Sequence, residues 1–306
     1  MMKIGGVTMT FNDGYKIKEW KSHYDVYRKE LDYYVIVDNG SDAGFLQLLR
    51  NTFPNEVIIE RGTNGGCTAA YNDGIHYLLD ETDSDYIAII GNDIKTPEGC
   101  FPAMSSYMQE NSGIGIVSTA ILHKDSMVLD NFGHKISFLG VVEECHRGED
   151  YSVIQGKKEL TELVTGGFTM STRSFYEKVG LQDEKLFMYG DELDTSFRAK
   201  KAGFLIAVTG ETYAWHWHIK NPNAKAGGAA SSYLFARNRV YLAKKHLSFF
   251  HVVFYFFFHA VINPLGLLIK GILKGKKEYF KHAKYKFVGG CNGLFGRMEK
   301  NKYTLF

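Results

Sequence analysis

The chain holds only four cysteines in 306 residues, Cys67, Cys100, Cys145 and Cys291, and no CxxC pair. Thiols so scattered exclude a disulfide framework and a cysteine-based zinc site, and they fit a reducing cytosol. Net charge is scarce too, +2 with histidine neutral. A general nucleic-acid binder carries a strong basic excess, so no nucleic-acid partner is expected. The opening residues MMKIGGVTMTFND turn polar too soon for a secretory leader, which puts the expected location in the cytoplasm. The first apolar run leads into GGVTMTFNDG, with no GxGxxG, so a hydride-transfer dinucleotide enzyme loses its main support.

What is present is an ordinary globular composition, 45% hydrophobic and 23% charged, long enough for one large domain or two smaller ones. KIGGVTMTF, YYVIVDNGS, NEVIIERGTNGG and YIAIIGND read as strands. Between them 16–31, 42–51, 68–81 and 97–110 read as helices, with Pro97 in a first turn. Short apolar runs alternating with helices predict an α/β fold with a mostly parallel, Rossmann-like sheet covered on both faces. After GIGIVSTAIL the segment 123–150 has several turn signals and no long helix, which fits a small hairpin insert. ELVTGGFTMSTRSFYEKVG returns to strand then helix, DELDTSFRAKKAG is a helix ending at Gly203, and FLIAVTG and TYAWHWH read as further strands.

The tail departs from this pattern. Residues 247–269 contain no Asp, Glu, Lys or Arg, and lysines flank them. The length approaches that of a spanning helix, but His251, His259, Asn263 and Pro264 interrupt it. Two amphipathic helices lying on the inner face of the cell membrane are the expectation, with Lys270, Lys274, Lys276 and Lys277 toward an anionic leaflet. A packed helical hairpin or a homodimer face is the alternative. The expected division is 1–245 (a nucleotide half 1–125 and an acceptor half 126–245) followed by a helical tail 246–306.

Four expected strand ends carry polar groups: Thr10 and Asn12, Asp38, Asn64 with Gly65-Gly66, and Asn92-Asp93. Parallel strands bring such ends to one edge, where open α/β sheets bind ligands. A nucleotide fits there, with Asp38 accepting from a base N–H and the Gly66 backbone approaching closely. Any one of these is also what a turn would use.

These residues, in this order, resemble family 2 glycosyltransferases of the GT-A fold, in their rhamnosyltransferase-like branch. VTMTFN resembles the opening strand, VDNGS the nucleotide-binding turn and NGGCTAAYNDGI the asparagine-and-glycine loop with its helix. IIGNDI stands where such enzymes have a DXD or NxD metal element. GGFTMSTRSFYEKVG and DEKLFMYGDELDTSFRAKKAG resemble the acceptor-side strand and the acidic helix start, and YLFARN and GGCNGLFGRM the downstream segments. The resemblance implies an inverting transfer of a sugar from a UDP- or dTDP-sugar to a glycan or lipid-linked oligosaccharide, as in bacterial-type surface polysaccharide synthesis. It implies Mn²⁺ or Mg²⁺ at Asp93, with His216 or His218 as a further ligand. Position 91 is Gly, so the DXD element is incomplete. The acceptor base falls on the pair Asp191-Glu192, reversed from the usual order. Gly166 and Gly167 would admit an acceptor close to the backbone, and Tyr189 and Trp215 would stack on a sugar ring. A nucleotidyltransferase and a non-catalytic carbohydrate-binding scaffold stay open as alternatives.

Overall fold

The apolar runs of the first half form strands because their β-branched residues face protein on both sides. In a computed structural model, describing residues 2–217, 219 and 228–299, these strands are β1 (Ile4–Thr10), β2 (Tyr33–Asp38), β3 (Val57–Glu60) and β4 (Tyr86–Ile90). Their order is β4-β1-β2-β3, all parallel, with Thr10 level with Asp38 and Asp38 with Glu60. The helices α1 (Ile17–Tyr27), α2 (Ala43–Thr52), α3 (Cys67–Asp80) and α4 (Cys100–Glu110) connect them and the strands that follow. Alternation is visible within each strand. Tyr34 and Ile36 join one core layer with Trp20, Phe53 and Phe101, while Val35 and Val37 join the other with Ile75 and Phe175. Two-faced burial is why β1, β2 and β4 read as continuous apolar runs, while β3 lies at the sheet edge with Val57 exposed.

The second half adds β5 (Ile94–Lys95), β6 (Ile114–His123), β7 (Leu129–Asn131), the hairpin strands β8 (His134–Ile136) and β9 (Val142–Glu144), β10 (Lys158–Leu160), β11 (Phe168–Thr172), α5 (Arg173–Val179), α6 (Asp191–Lys201) and β12 (Leu205–His216). The whole sheet runs β10-β12-β6-β11-β4-β1-β2-β3. β11 enters antiparallel to both β4 and β6, so its first residues lie beside the last residues of β4. FLIAVTG and TYAWHWH form one strand, β12, with a register break between Thr209 and Tyr213.

Two helix boundaries differ from expectation by three residues or more, and the first is the end of α1 at Tyr27, where a 3₁₀ turn (Arg28–Glu30) takes over. Helix α4 starts at Cys100, so Pro97 lies outside it. Glu30 sets the start: its carboxylate accepts from the N–H groups of Gly99 (2.6 Å) and Phe101 (3.0 Å). A cap delivered from 69 residues upstream leaves no local sequence signal.

The tail forms α7 (Ala229–His246), α8 (Phe249–Phe256), a π-helical turn (Phe257–Ile262), α9 (Asn263–Lys274) and α10 (Lys277–Phe295). The expected break at Asn263-Pro264 is absent, and the helix runs on from Phe249 to Lys274. Pro264 lies inside this continuous helix, just after the π-helical turn, where the altered hydrogen-bond register accommodates its missing N–H. The chain divides into two compact units. One comprises 1–135, 143–184 and 195–222; the other comprises 136–142, 185–194 and 223–306. The second unit thus gathers the helical tail, the hairpin tip and the segment that opens α6.

Candidate active site

The sheet edge in the first unit is built by turns that hold one another. Beyond β1, Asp13 gathers the polar groups: one carboxylate oxygen accepts from Thr10 Oγ1 (3.0 Å) and Asn92 Nδ2 (2.7 Å), and the other lies 3.4 Å from Lys16 Nζ. Asn92 also donates weakly to the Met9 carbonyl (3.4 Å). Thr10 and Asn92, both read as nucleotide contacts, therefore use these groups to tie the β4 turn to the β1 turn. Asp13 and the buried Lys16 were not singled out in the sequence, because ND after a strand reads simply as a turn. Asn12 adopts a left-handed conformation (φ 52°). Its side-chain oxygen accepts from the Asp42 N–H (3.0 Å), while its own N–H donates to Ser41 Oγ (2.9 Å).

Asp38 ends β2 almost fully buried, at 1% exposure. Its Oδ2 accepts from the N–H groups of Gly40 (3.2 Å) and Ser41 (3.1 Å). Its Oδ1 is buried with no hydrogen-bond partner among the described residues. Neighbouring Asn39 donates to Asn64 Oδ1 and to the Gly66 carbonyl, each at 3.1 Å, and accepts from the Gly65 N–H (3.0 Å). Gly40 makes this close packing possible: its φ is +84°, and a Cβ there would lie 2.5 Å from the Thr63 carbonyl carbon. Arg61 pairs through Nε with Asp73 (3.0 Å), while its Nη1 is buried and unpartnered among the described residues. A buried acceptor and a buried donor at one sheet edge thus keep hydrogen-bonding capacity that the described residues leave unused.

Asp93 follows β4 directly. Its Oδ2 lies 3.5 Å from His216 Nε2, brought there by the pairing of His216 with Ile94 between β12 and β5. Burial pushes the Asp93 carboxyl up, but the His216 hydrogen bond and charge, with Lys16, outweigh it and pull the pKa to about 2. On its other side His216 Nδ1 lies 4.0 Å from Asp130, a carboxylate that sequence reading passed over. His218 lies outside the described residues. Among the described residues no three His, Cys, Asp or Glu side chains cluster as a metal set. Asp93 and His216 thus offer an oxygen and a nitrogen donor side by side, a set that fits a divalent cation completed by ligand oxygens.

Gly166 and Gly167 reach the same edge just before β11. The Gly167 carbonyl accepts from the Gly91 N–H (2.6 Å), and Gly167 itself is left-handed (φ +79°). Trp215 is packed rather than open: its indole N–H donates to the Ser126 carbonyl (2.9 Å), and its ring meets Tyr213 edge-on.

The second unit holds the acidic helix start. Asp191 and Glu192 are half-buried at the first turn of α6, where a helix dipole favours carboxylates. Burial, then the adjacent Glu192 charge, raises the Asp191 carboxyl well above the ordinary range. Arg239 on α7 feels the Glu192 charge, and its Nη1 is buried without a hydrogen-bond partner among the described residues. Asp194, fully buried, accepts from His246 Nε2 (2.6 Å) and Lys245 Nζ (2.8 Å).

The turn before these acids is strained. Phe187 (φ 66°) and Tyr189 (φ 67°) are both left-handed non-glycine residues, and Gly190 follows at 89°. One side chain pins it: Asn238 Nδ2 donates to the carbonyls of Leu186 (3.0 Å), Met188 (2.9 Å) and Tyr189 (2.6 Å). Arg237 adds bonds to Lys185 (3.1 Å) and Leu186 (2.8 Å), and Arg237 Nε holds Asn238 Oδ1 (2.9 Å). The ring of Tyr189 stacks on Phe235, with centroids 4.3 Å apart, so one of its faces is covered. Removing the pin with Asn238→Ala is expected to cost about 2–3 kcal/mol of stability, since its two amide hydrogens are shared among the three carbonyls at roughly 1 kcal/mol per bond. Chemical denaturation with a far-UV readout measures it, and a loss below about 0.5 kcal/mol would show that the turn holds without Asn238.

Comparisons with known proteins agree with this architecture. The sequence model for "Glycosyl transferase family 2" matches residues 22–180. Over 87% of this chain and 85% of the relative, the sequence is 21% identical to the low-salt glycan biosynthesis hexosyltransferase Agl10 of Haloferax volcanii. Over 96% and 97%, it is 25% identical to the dTDP-rhamnosyl transferase RfbF of Shigella flexneri. Among solved structures, the fold is similar to GalNAc-T7, solved with UDP, GalNAc and Mn²⁺ (TM-score 0.64, 11% identity, 95% of this chain and 57% of that one). It is also similar to the mannosyltransferase PcManGT of Pyrobaculum calidifontis, in complex with GDP-Man and Mn²⁺ (TM-score 0.55, 15% identity, 96% and 88%). The sheet is the GT-A sheet, and the chain belongs to glycosyl transferase family 2.

Proposed function

We propose that the protein is an inverting, metal-assisted hexosyltransferase that moves a sugar from a UDP- or dTDP-sugar to a hydroxyl of a glycan or lipid-linked oligosaccharide. The observation that carries the donor half is Asp93 beside His216 at the end of β4, on the edge where Asp38 keeps a buried oxygen open. In this reading Asp38 Oδ1 accepts the N3–H of a pyrimidine base, and Arg61 Nη1 donates to a carbonyl of the same ring. Lys16 adds positive charge toward the diphosphate. Asp93 and His216 would hold a Mn²⁺ or Mg²⁺ ion, which when bound supplies Lewis-acid neutralisation of the departing diphosphate. Support for that cation comes from the donor set and from the two fold neighbours solved with Mn²⁺.

The acceptor half rests on the surroundings of Glu192. An acceptor O–H gives its proton to a carboxylate as its oxygen attacks the anomeric carbon from the face opposite the leaving group. The bond from that carbon to the diphosphate oxygen breaks, its electron pair stays with the diphosphate, and the configuration inverts. Asp191 and Glu192 stand side by side at the first turn of α6, and of this pair Glu192 is taken as the base, with Asp191 as its rival.

Calorimetric titration with UDP, dTDP and GDP, each with and without Mn²⁺, tests the donor half. The expected outcome is tighter binding of a pyrimidine diphosphate than of GDP in Mn²⁺, and a loss of about tenfold or more in that affinity on Asp38→Ala, since the base N–H then goes unpaired at a cost of over about 1 kcal/mol. Tighter binding of GDP would remove the pyrimidine assignment, and an Asp38→Ala protein that binds as wild type does would remove the role given to Asp38.

A further inference from the structure

We infer that the exposed apolar face of the helix Phe249–Lys274 rests on an anionic lipid bilayer, lying along its surface and not crossing it. The stretch is long and apolar enough to span a membrane, and only 17% of its apolar window is buried within the protein. Phe249 (75% exposed), Phe250 (72%), Ile272 (71%) and Leu273 (79%) stand open at its two ends. Between them the exposed residues Phe250, Phe254, Phe257, Ile262, Leu265 and Ile269 form one stripe. Its spacing is three or four residues except from Phe257 to Ile262, which is five. That step falls on the π-helical turn, whose wider winding absorbs the additional residue and keeps the stripe in phase.

The opposite face is fastened to the second unit along its length. Tyr255 is buried where a Cβ on Gly140 would come within 2.5 Å of its ring. His259 Nε2 donates to the Leu139 carbonyl (3.0 Å). Ala260 sits against Gly290 of α10, where a Cβ would lie 2.2 Å from its own, and Gly271 sits under Phe280. Helix α10 is fastened in turn to α7, for Gly289 and Gly293 lie against the backbones of Tyr233 and Arg237. A membrane-crossing path would drag α10, with Lys281, Lys284 and Lys286, into hydrocarbon. An interfacial path leaves it outside.

Charge selects the occupant. Seven lysines and one acidic residue, Glu278, lie between positions 247 and 286. Lys270, Lys274, Lys276 and Lys277 cluster where the helix ends, a pattern that suits anionic headgroups. The same lysines would repel a second copy placed face to face. A groove of about 350 Å³ opens between α9 and α10, lined by Pro264, Leu265, Leu268, Phe280, Phe287 and Lys284.

Sedimentation of the full chain with vesicles tests this without donor or acceptor, so it stands or falls apart from the transfer reaction. The protein is expected to pellet with phosphatidylcholine–phosphatidylglycerol vesicles far more than with phosphatidylcholine alone, and to be released by alkaline carbonate. The triple variant Phe254→Ser, Leu265→Ser, Ile269→Ser changes only exposed positions. It is expected to keep its melting temperature and to lose about tenfold or more in vesicle affinity. Lys270→Glu with Lys274→Glu is expected to erase the preference for phosphatidylglycerol. A folded wild type that stays in the supernatant would overturn the inference, as would one that resists carbonate. A dimer in light scattering that the triple variant dissolves would overturn it in favour of a second copy.

Discussion

Asp93→Asn is expected to make nucleoside-diphosphate binding indifferent to Mn²⁺ and to cut sugar transfer by about 10²-fold or more, the loss seen when one preorganised charge-stabilising group is removed. Asn keeps the shape of the side chain and its amide can still approach His216, so the change isolates the charge. The carboxyl of Asp93 is buried, which alone would raise it, yet His216 and Lys16 hold it at about 2. The folded protein therefore favours the ionised form of Asp93. The sign for stability follows. A carboxyl depressed in the folded state contributes stability that is full above the ordinary value of 3.8 and is lost as pH falls toward about 2. Acid unfolding of Asp93→Asn should lack that component. Two measurements decide the assignment: the Mn²⁺ dependence of UDP and dTDP affinity, and turnover at saturating donor. An Asp93→Asn protein whose affinity still tightens with Mn²⁺ as in wild type would place the ion elsewhere, and His216→Ala then shows whether the histidine alone carries it.

The elements around Asp93 were legible because they are local. Ile87, Ile89 and Ile90 are buried between the two core layers, so YIAII announces a central strand, and Gly91-Asn92-Asp93 announces its end. The same holds for YYVIVD. What stayed hidden depends on groups far apart in the chain. Glu30 decides where α4 begins, yet nothing near Cys100 says so. Asp13 organises the edge through Asn92, 79 residues away. The strain at Phe187 and Tyr189 has no local mark except the following glycine, because Asn238 supplies the bonds that hold it. The unbroken helix through Pro264 was unreadable for a related reason: a π turn resets the phase, and helical periodicity assumes one winding throughout. Motif order was more informative than any one of these residues, since each motif alone has the composition of a common turn.

The second large effect concerns the acidic pair. Glu192→Gln is expected to lower the transfer rate by about 10²–10⁴-fold, the usual contribution of a positioned base, while donor affinity in Mn²⁺ stays that of wild type. Asp191→Asn is expected to do the reverse. Its carboxyl is raised by burial and by the Glu192 charge, so in the folded state it retains a proton that the unfolded chain releases. A group raised in this way contributes stability below its unfolded value and loses it as pH rises toward the folded one. Near neutrality the half-buried acid is therefore a cost, and the amide escapes it. Asp191→Asn should melt higher than wild type at pH 7, show a flatter dependence of melting temperature on pH above about 4, and keep most of its turnover. The two variants separate the rival assignments because they move different observables. If Asp191→Asn abolishes transfer and Glu192→Gln does not, the base is Asp191, and its raised carboxyl would then set an acidic limb on the rate profile that Glu192→Gln retains. If neither variant slows transfer, the proton leaves to another group and the acids serve only the dipole at the start of α6. If both variants bind donor normally yet wild type itself never turns over, the scaffold reading replaces catalysis altogether.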